Sequence, residues 1–136
     1  MILSVPVSVG ELLDKMSILR IKLVEIQDPA KRQNVRRELD ELEAVARTHG
    51  LAHPELEQGL DEVNAELWRI EDELRVLERE QRFDARFIEL ARAVYYTNDR
   101  RARLKRELNA HFGSALVEEK QYVEYGGPVP PGSSGP

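Results

Sequence analysis

Leu56, Leu60, Val63, Leu67, Ile70, Leu74 and Leu77 recur at alternating steps of four and three residues. At about 3.6 residues per turn, such positions share one stripe of a helix, so the pattern is a heptad seam and gives the chain a coiled-coil signature. It predicts one helix over residues 54–81, about 42 Å long at roughly 1.5 Å per residue. Fully buried, the seam is worth on the order of 10 to 20 kcal/mol gross, at roughly 1.5 to 3 kcal/mol per side chain, before chain entropy is subtracted. Something must cover it. One flank holds Glu57, Asn64, Glu71 and Glu78, and the other Gly59, Glu66, Glu73 and Glu80. Parallel self-pairing would set glutamate against glutamate, so the expected cover is the other helices of the chain.

Those helices are signalled in order. Residues 1–7 look extended, with Pro6 confining any strand to a sheet edge. Ser8 to Glu11 reads as a capping box, opening a helix to about Gln27. Its main stripe is Leu12, Leu13, Met16, Leu19, Leu23, Val24 and Ile26, interrupted by Arg20, while Ile18 and Ile21 lie opposite among Glu11, Asp14, Lys15, Lys22 and Glu25. An apolar presence on two sides predicts contact on two sides. Asp28-Pro29 starts a second helix, to about Thr48, with one narrow face (Val35, Leu39, Leu42, Ala46) and Gly50 as its stop. It belongs at the edge of the bundle.

After the organising helix, opened by Pro54, residues 82–84 form a turn and Asp84 caps a fourth helix to about Phe112, stopped by Gly113. The fourth helix has the stripe Phe87, Ala91, Val94, then Asn98, Arg101, Lys105, then Leu108 and Phe112. Arg100, Arg103 and Arg106 complement the acidic flanks before them. Trp68 lies off the seam and is expected to pack in the core against a further helix. Residues 114–125 fit either a short helix or an extended segment. The predicted fold is an all-α antiparallel four-helix bundle with a long helical hairpin and a short extended N-terminal segment, spanning residues 1–125, and residues 126–136 are expected to form a disordered Gly/Pro/Ser tail.

Composition narrows the function classes. A chain of 136 residues has room for one domain, and a formal net charge of -5 argues against a general nucleic-acid binder. With no cysteine, thiol catalysis and disulfides are excluded. The apolar runs fall short of the roughly 20 residues a membrane helix needs, and the start lacks the features of a signal peptide, so a cytoplasmic protein is expected.

Recognisable catalytic chemistry is not found. His49 and His53 are four apart, but across a glycine-containing loop and without the intervening glutamate of a zinc protease, so no metal is assigned. Glu11 with Asp14, Glu38 with Glu41, and Glu62 with Glu66 stand at helical spacing, the kind of pairing that holds magnesium in all-α nucleotide pyrophosphohydrolases. In a chain with 25 acidic residues they also arise as solvated faces. The polar belt is more informative. Arg20, Asn98, Arg101 and Lys105 fall on otherwise apolar stripes, and a buried unpaired charge costs several kcal/mol. Either they pair internally with glutamates of the third helix or reach out to water along their long side chains, or they form a pocket for a phosphate or carboxylate.

Four stretches, VPVSVGELLDKMSILRIK (residues 5–22), LWRIEDELR (67–75), FIELARAVYYTNDRRARLKRELN (87–109) and SALVEEKQY (114–122), together resemble a small bacterial family classed as a domain of unknown function. The stretches include Asp14, Lys15, Lys22, Trp68, Glu71, Asp72, Arg75, Asn98, Asp99, Arg101, Lys105, Glu118, Glu119, Lys120 and Tyr122. The resemblance implies an intracellular protein encoded near glycosyltransferases of surface-polysaccharide synthesis, and it brings no activity or cofactor. The leading expectation is a non-enzymatic binding or assembly module with a protein partner or a second copy of itself, the latter through a face of the first or second helix. The alternative is a small all-α enzyme or ligand-binding protein for a phosphorylated or carboxylated metabolite, with magnesium held by the helical carboxylates.

Overall fold

The computed structural model describes residues 1–126, and within them the chain forms α1 (Val9–Glu25), α2 (Pro29–Thr48), α3 (Pro54–Arg79) and α4 (Ala85–Phe112), with no strand. Each helix begins where a side chain can take a free amide. Ser8 Oγ accepts from Glu11 N at 3.1 Å, Asp28 Oδ2 from Lys31 N at 3.0 Å, His53 Nδ1 from Leu56 N at 3.2 Å and Asp84 Oδ1 from Phe87 N at 3.3 Å. Gly113 ends α4 in the left-handed region, at φ 63° and ψ 42°, a conformation that costs a residue with a Cβ. The capping box is half formed, because the Glu11 carboxylate turns to Lys105 Nζ at 2.7 Å.

α3 and α4 make the antiparallel hairpin. Arg86 pairs with Glu73 at 2.6 Å and Arg100 with Glu66 at 3.0 Å, so two arginines of α4 answer the acidic flank of α3. α1 packs on α2, α3 and α4, whereas α2 packs on α1, placing it at the edge. The polar contacts of α1 fall at Asp61 and Asn64 on α3 and at Arg101, Lys105 and Asn109 on α4. α1 therefore meets the hairpin near its open end, away from the turn that joins its two helices.

The core divides accordingly. One cluster unites Leu12, Leu13, Met16 and Leu19 of α1 with Val35, Leu39 and Ala46 of α2 and with Leu60 and Leu108 of the hairpin. A smaller one, Ile70, Leu77, Leu90 and Ala93, is built by the hairpin alone. Gly10 brings α1 close to α4: a Cβ there would stand 2.5 Å from the Lys105 carbonyl oxygen.

Three sequence expectations are corrected. The buried residues of α4 are Leu90, Ala93, Tyr96, Thr97, Ala102, Lys105, Leu108 and Asn109, while Phe87, Ala91 and Val94 are half-buried. The side that faces α3 is covered, and the neighbouring stripe would need a third helix that α1 does not supply at that level. Val24 is 73% exposed because Leu23 and Ile26 complete the apolar face of α1 and the helix stops at Glu25. Trp68 is half-exposed and belongs to neither core cluster, since the further helix expected on its side is not there. Residues 1–7 are exposed and form neither helix nor strand, and residues 115–125 likewise form neither. Apart from Gly126, the expected tail lies outside the described residues.

Candidate functional site

The centre of the polar belt is an aspartate. Asp14 is 1% exposed, on the side of α1 that its sequence neighbours marked as polar. A carboxylate so buried must be paired. Arg101 of α4 supplies a fork, with Nε 3.0 and 3.1 Å from the two Asp14 oxygens and Nη2 on Oδ2. Asn64 of α3 donates to Asp14 Oδ1 at 2.9 Å and to Ser17 Oγ at 3.1 Å. Lys105 Nζ lies 3.9 Å from Asp14 Oδ2, bonds Glu11 at 2.7 Å and reaches Glu118 at 2.9 Å.

Glu118 belongs to the segment after α4, which lies back along that helix as a strap. At one end Ser114 Oγ accepts from Val9 N at 3.2 Å; at the other Tyr125 donates to Asp99, its ring 4.9 Å from that of Tyr96. Lys105 thus ties α1, α4 and the strap at one ammonium. Among buried side-chain polar atoms of the described residues, Thr97 Oγ1 alone lacks a partner, so the network around Asp14 is closed.

The electrostatics follow from this pairing. Bonds to Asp14 raise the Arg101 guanidinium further above its ordinary value. Burial pulls the Lys105 ammonium down, but its bonds to Glu11 and Glu118 outweigh that and leave it raised. Lys105 and then Lys120 hold the Glu118 carboxyl below the ordinary glutamate value. Burial, and then the bond to Asp99, push the Tyr125 phenol up.

The belt drawn from sequence is partly assembled. Arg101 and Lys105 converge, but their partners are Asp14 and Glu11 on α1 and Glu118 on the strap rather than glutamates of α3, because α1 lies between. Arg20 pairs separately with Asp61 at 2.9 Å, and Asn98 is half-buried with no hydrogen bond among the described residues. Glu71, Asp72 and Arg75 are exposed on α3. Of the carboxylate pairs, Glu11 and Asp14 turn to cations, Glu38 meets Lys15 at 3.0 Å and Glu66 meets Arg100. No group of three or more His, Cys, Asp or Glu among the described residues is placed to hold a metal ion. Sequence reasoning missed Asp14, Ser17, Asn64 and Asn109 as buried groups. Asn64 carried a signal: it is the one amide in a flank otherwise made of glutamate.

A family of unknown function, DUF6165, has a sequence model that matches residues 3–134. The chain belongs to that family. Its span takes in the Asp14 network, the strap and the whole hairpin. No curated protein and no solved structure matches the chain. The family's description assigns no activity, and no described helix is long and apolar enough to cross a membrane.

Proposed function

We propose that this family member is a helical binding and assembly module whose docking surface is the turn end of the hairpin. One observation carries the reading. The heptad seam continues along α3 past Ile70, but α1 and α2 stop at the open end, and Leu74, Phe87, Ala91 and Val94 line a groove of about 480 Å³ rimmed by Glu71, Arg75 and Glu78. Such a half-open seam fits the apolar face of an amphipathic helix. With two glutamates and one arginine on the rim, the occupant is a partner helix carrying a basic flank. A second copy of the hairpin would bring like charges together. From the resemblance alone comes the setting, surface-polysaccharide synthesis, so its glycosyltransferases are the first partners to try.

A photo-crosslinking residue at Ala91 in the native cell should give one defined adduct, absent when the same residue is placed at Arg37 on α2, and weakened by Glu71→Lys with Glu78→Lys. Adducts equally strong from both positions, or none from Ala91, would refute the docking surface. A dimer in sedimentation that Ala91→Glu dissolves would replace the partner helix with a second copy.

A second reading, a ligand-binding protein or enzyme for a phosphorylated or carboxylated metabolite, is favoured by a different observation, a cavity of about 600 Å³ between α4 and the strap. Its magnesium-dependent form has less support, since Glu11 and Asp14 are engaged by cations.

A further inference from the structure

The strap does not lie flat on α4. Between residues 120–125 and the outer face of the helix it leaves the cavity just described, whose walls include Tyr96, Arg103 and Arg106 from α4 and Lys120, Tyr122 and Tyr125 from the strap. That volume falls in the range of about 300 to 1,000 Å³ typical of small-molecule sites. The cations are placed unlike the others of α4. Arg86, Arg100, Arg101 and Lys105 all meet carboxylates, whereas Arg103 and Arg106, one turn apart on one face, make no ion pair among the described residues.

The wall also holds two acids, Asp99 and Glu124; Asp99 is engaged by the Tyr125 hydroxyl, and Lys120 is paired with Glu118 at 3.1 Å, so Arg103 and Arg106 are the cations of the wall without an ion pair among the described residues. Lys120 stands 5.5 Å from the centre of the Tyr122 ring, which is 65% exposed and has room to stack. Guanidinium groups side by side suit phosphate oxygens, which they can grip in a bidentate fork, and an exposed aromatic ring suits a planar base or the apolar face of a sugar.

We propose that this cavity binds a small phosphorylated ligand bearing a ring, of nucleotide size, with its phosphates on Arg103 and Arg106 and its ring against Tyr122. The inference rests on the ligand-binding reading and is independent of the hairpin groove. It assigns to Arg103 and Arg106 a role that their lack of ion-pair partners among the described residues leaves open.

Calorimetric titration of the full chain with adenosine diphosphate, uridine diphosphate, inorganic pyrophosphate and citrate tests it. At least one nucleotide should bind saturably at sub-millimolar concentration and at least tenfold more tightly than pyrophosphate. Arg103→Gln with Arg106→Gln should weaken that binding at least tenfold while circular dichroism stays unchanged, and Tyr122→Ala should reduce the nucleotide's advantage over pyrophosphate. Nucleotide binding that survives the double replacement, or pyrophosphate bound as tightly as either nucleotide, would overturn the proposal. Saturable binding of citrate alone would overturn it too, while leaving the broader ligand-binding reading in place. No binding by any of the four probes would count against both.

Discussion

At the scale of single residues, the Asp14–Arg101 pair decides most. Asp14 is almost fully buried and Arg101 grips both of its oxygens, so Arg101→Met strands a charge in the interior. Breaking a buried pair from one side typically costs about 3 to 5 kcal/mol. Thermal melting should fall by roughly 10 °C or more, given about 2 to 8 °C per kcal/mol for domains near this size. A variant that melts at the native temperature would mean that Arg101 is held for a ligand instead. Gly10→Ala offers a second test at the same scale. Alanine is the better helix former by about 1 kcal/mol, yet its Cβ would meet the Lys105 carbonyl at 2.5 Å, and backbone cannot swing aside as a side chain can. Overpacking of this kind costs about 1 to 3 kcal/mol. The net effect expected in a denaturant titration is destabilisation, with an unchanged slope; a stabilised variant would show that α1 and α4 can separate freely at this point.

At the scale of elements, the two clusters predict unequal stability along the hairpin. The open end shares its core with α1 and α2, but the turn end has Ile70, Leu77, Leu90 and Ala93 with Leu74, Phe87 and Val94 half-buried against them, all from the hairpin itself. Local opening is easiest where buried apolar contacts are fewest. Amides of residues 71–79 and 85–94 should therefore exchange faster than those of 57–67 and 100–109 in native-state hydrogen exchange. Equal protection along the hairpin would argue that the turn end is already covered, by self-association for example. Much of this architecture was legible in the chain. The seam of α3, the caps at Ser8, Asp28 and Asp84, and the stops at Gly50 and Gly113 are local signals, read within a turn of helix. The face of α4 was less legible, because which of two adjacent stripes is buried depends on where α1 lies. That in turn rests on the fit of Gly10 to α4 and on Asp14 with Asn64, contacts between residues up to 99 positions apart. A hydrophobicity pattern marks Asp14 as a surface residue, and only its partners make it an interior one.

At the scale of the whole molecule, the strap is the part held mainly by charge, since Leu116, Val117 and Val123 are all exposed and contribute little burial. Its central fastening is Glu118 on Lys105, with Glu11 and Asp14 facing the same ammonium and Lys120 at 3.1 Å on the far side of Glu118. The sign of the pH dependence follows from the two shifts. Glu118 is held below its ordinary value of 4.5, so its contribution is complete above that value and fades as pH falls through the lower value it has in the folded chain. Lys105 is held above its ordinary value of 10.5, so its contribution is complete below that value and fades as pH rises through the higher one. Between these limits the fastening is at full strength. The size of the effect is modest, because Glu118 is 41% exposed and solvent screens it. Backbone order of residues 116–123, read by amide nitrogen relaxation, should therefore be flat across neutral pH and should fall on acidification below about pH 4.5, ahead of any loss of helix by circular dichroism. Glu118→Gln should give at neutral pH the same loosened strap that the native chain shows in acid, with α1 to α4 intact. Order that persists to about pH 3 while the helices hold would mean that the edge-on contacts of Tyr125 with Tyr95 and Tyr96, rather than the Lys105 fastening, keep the strap in place.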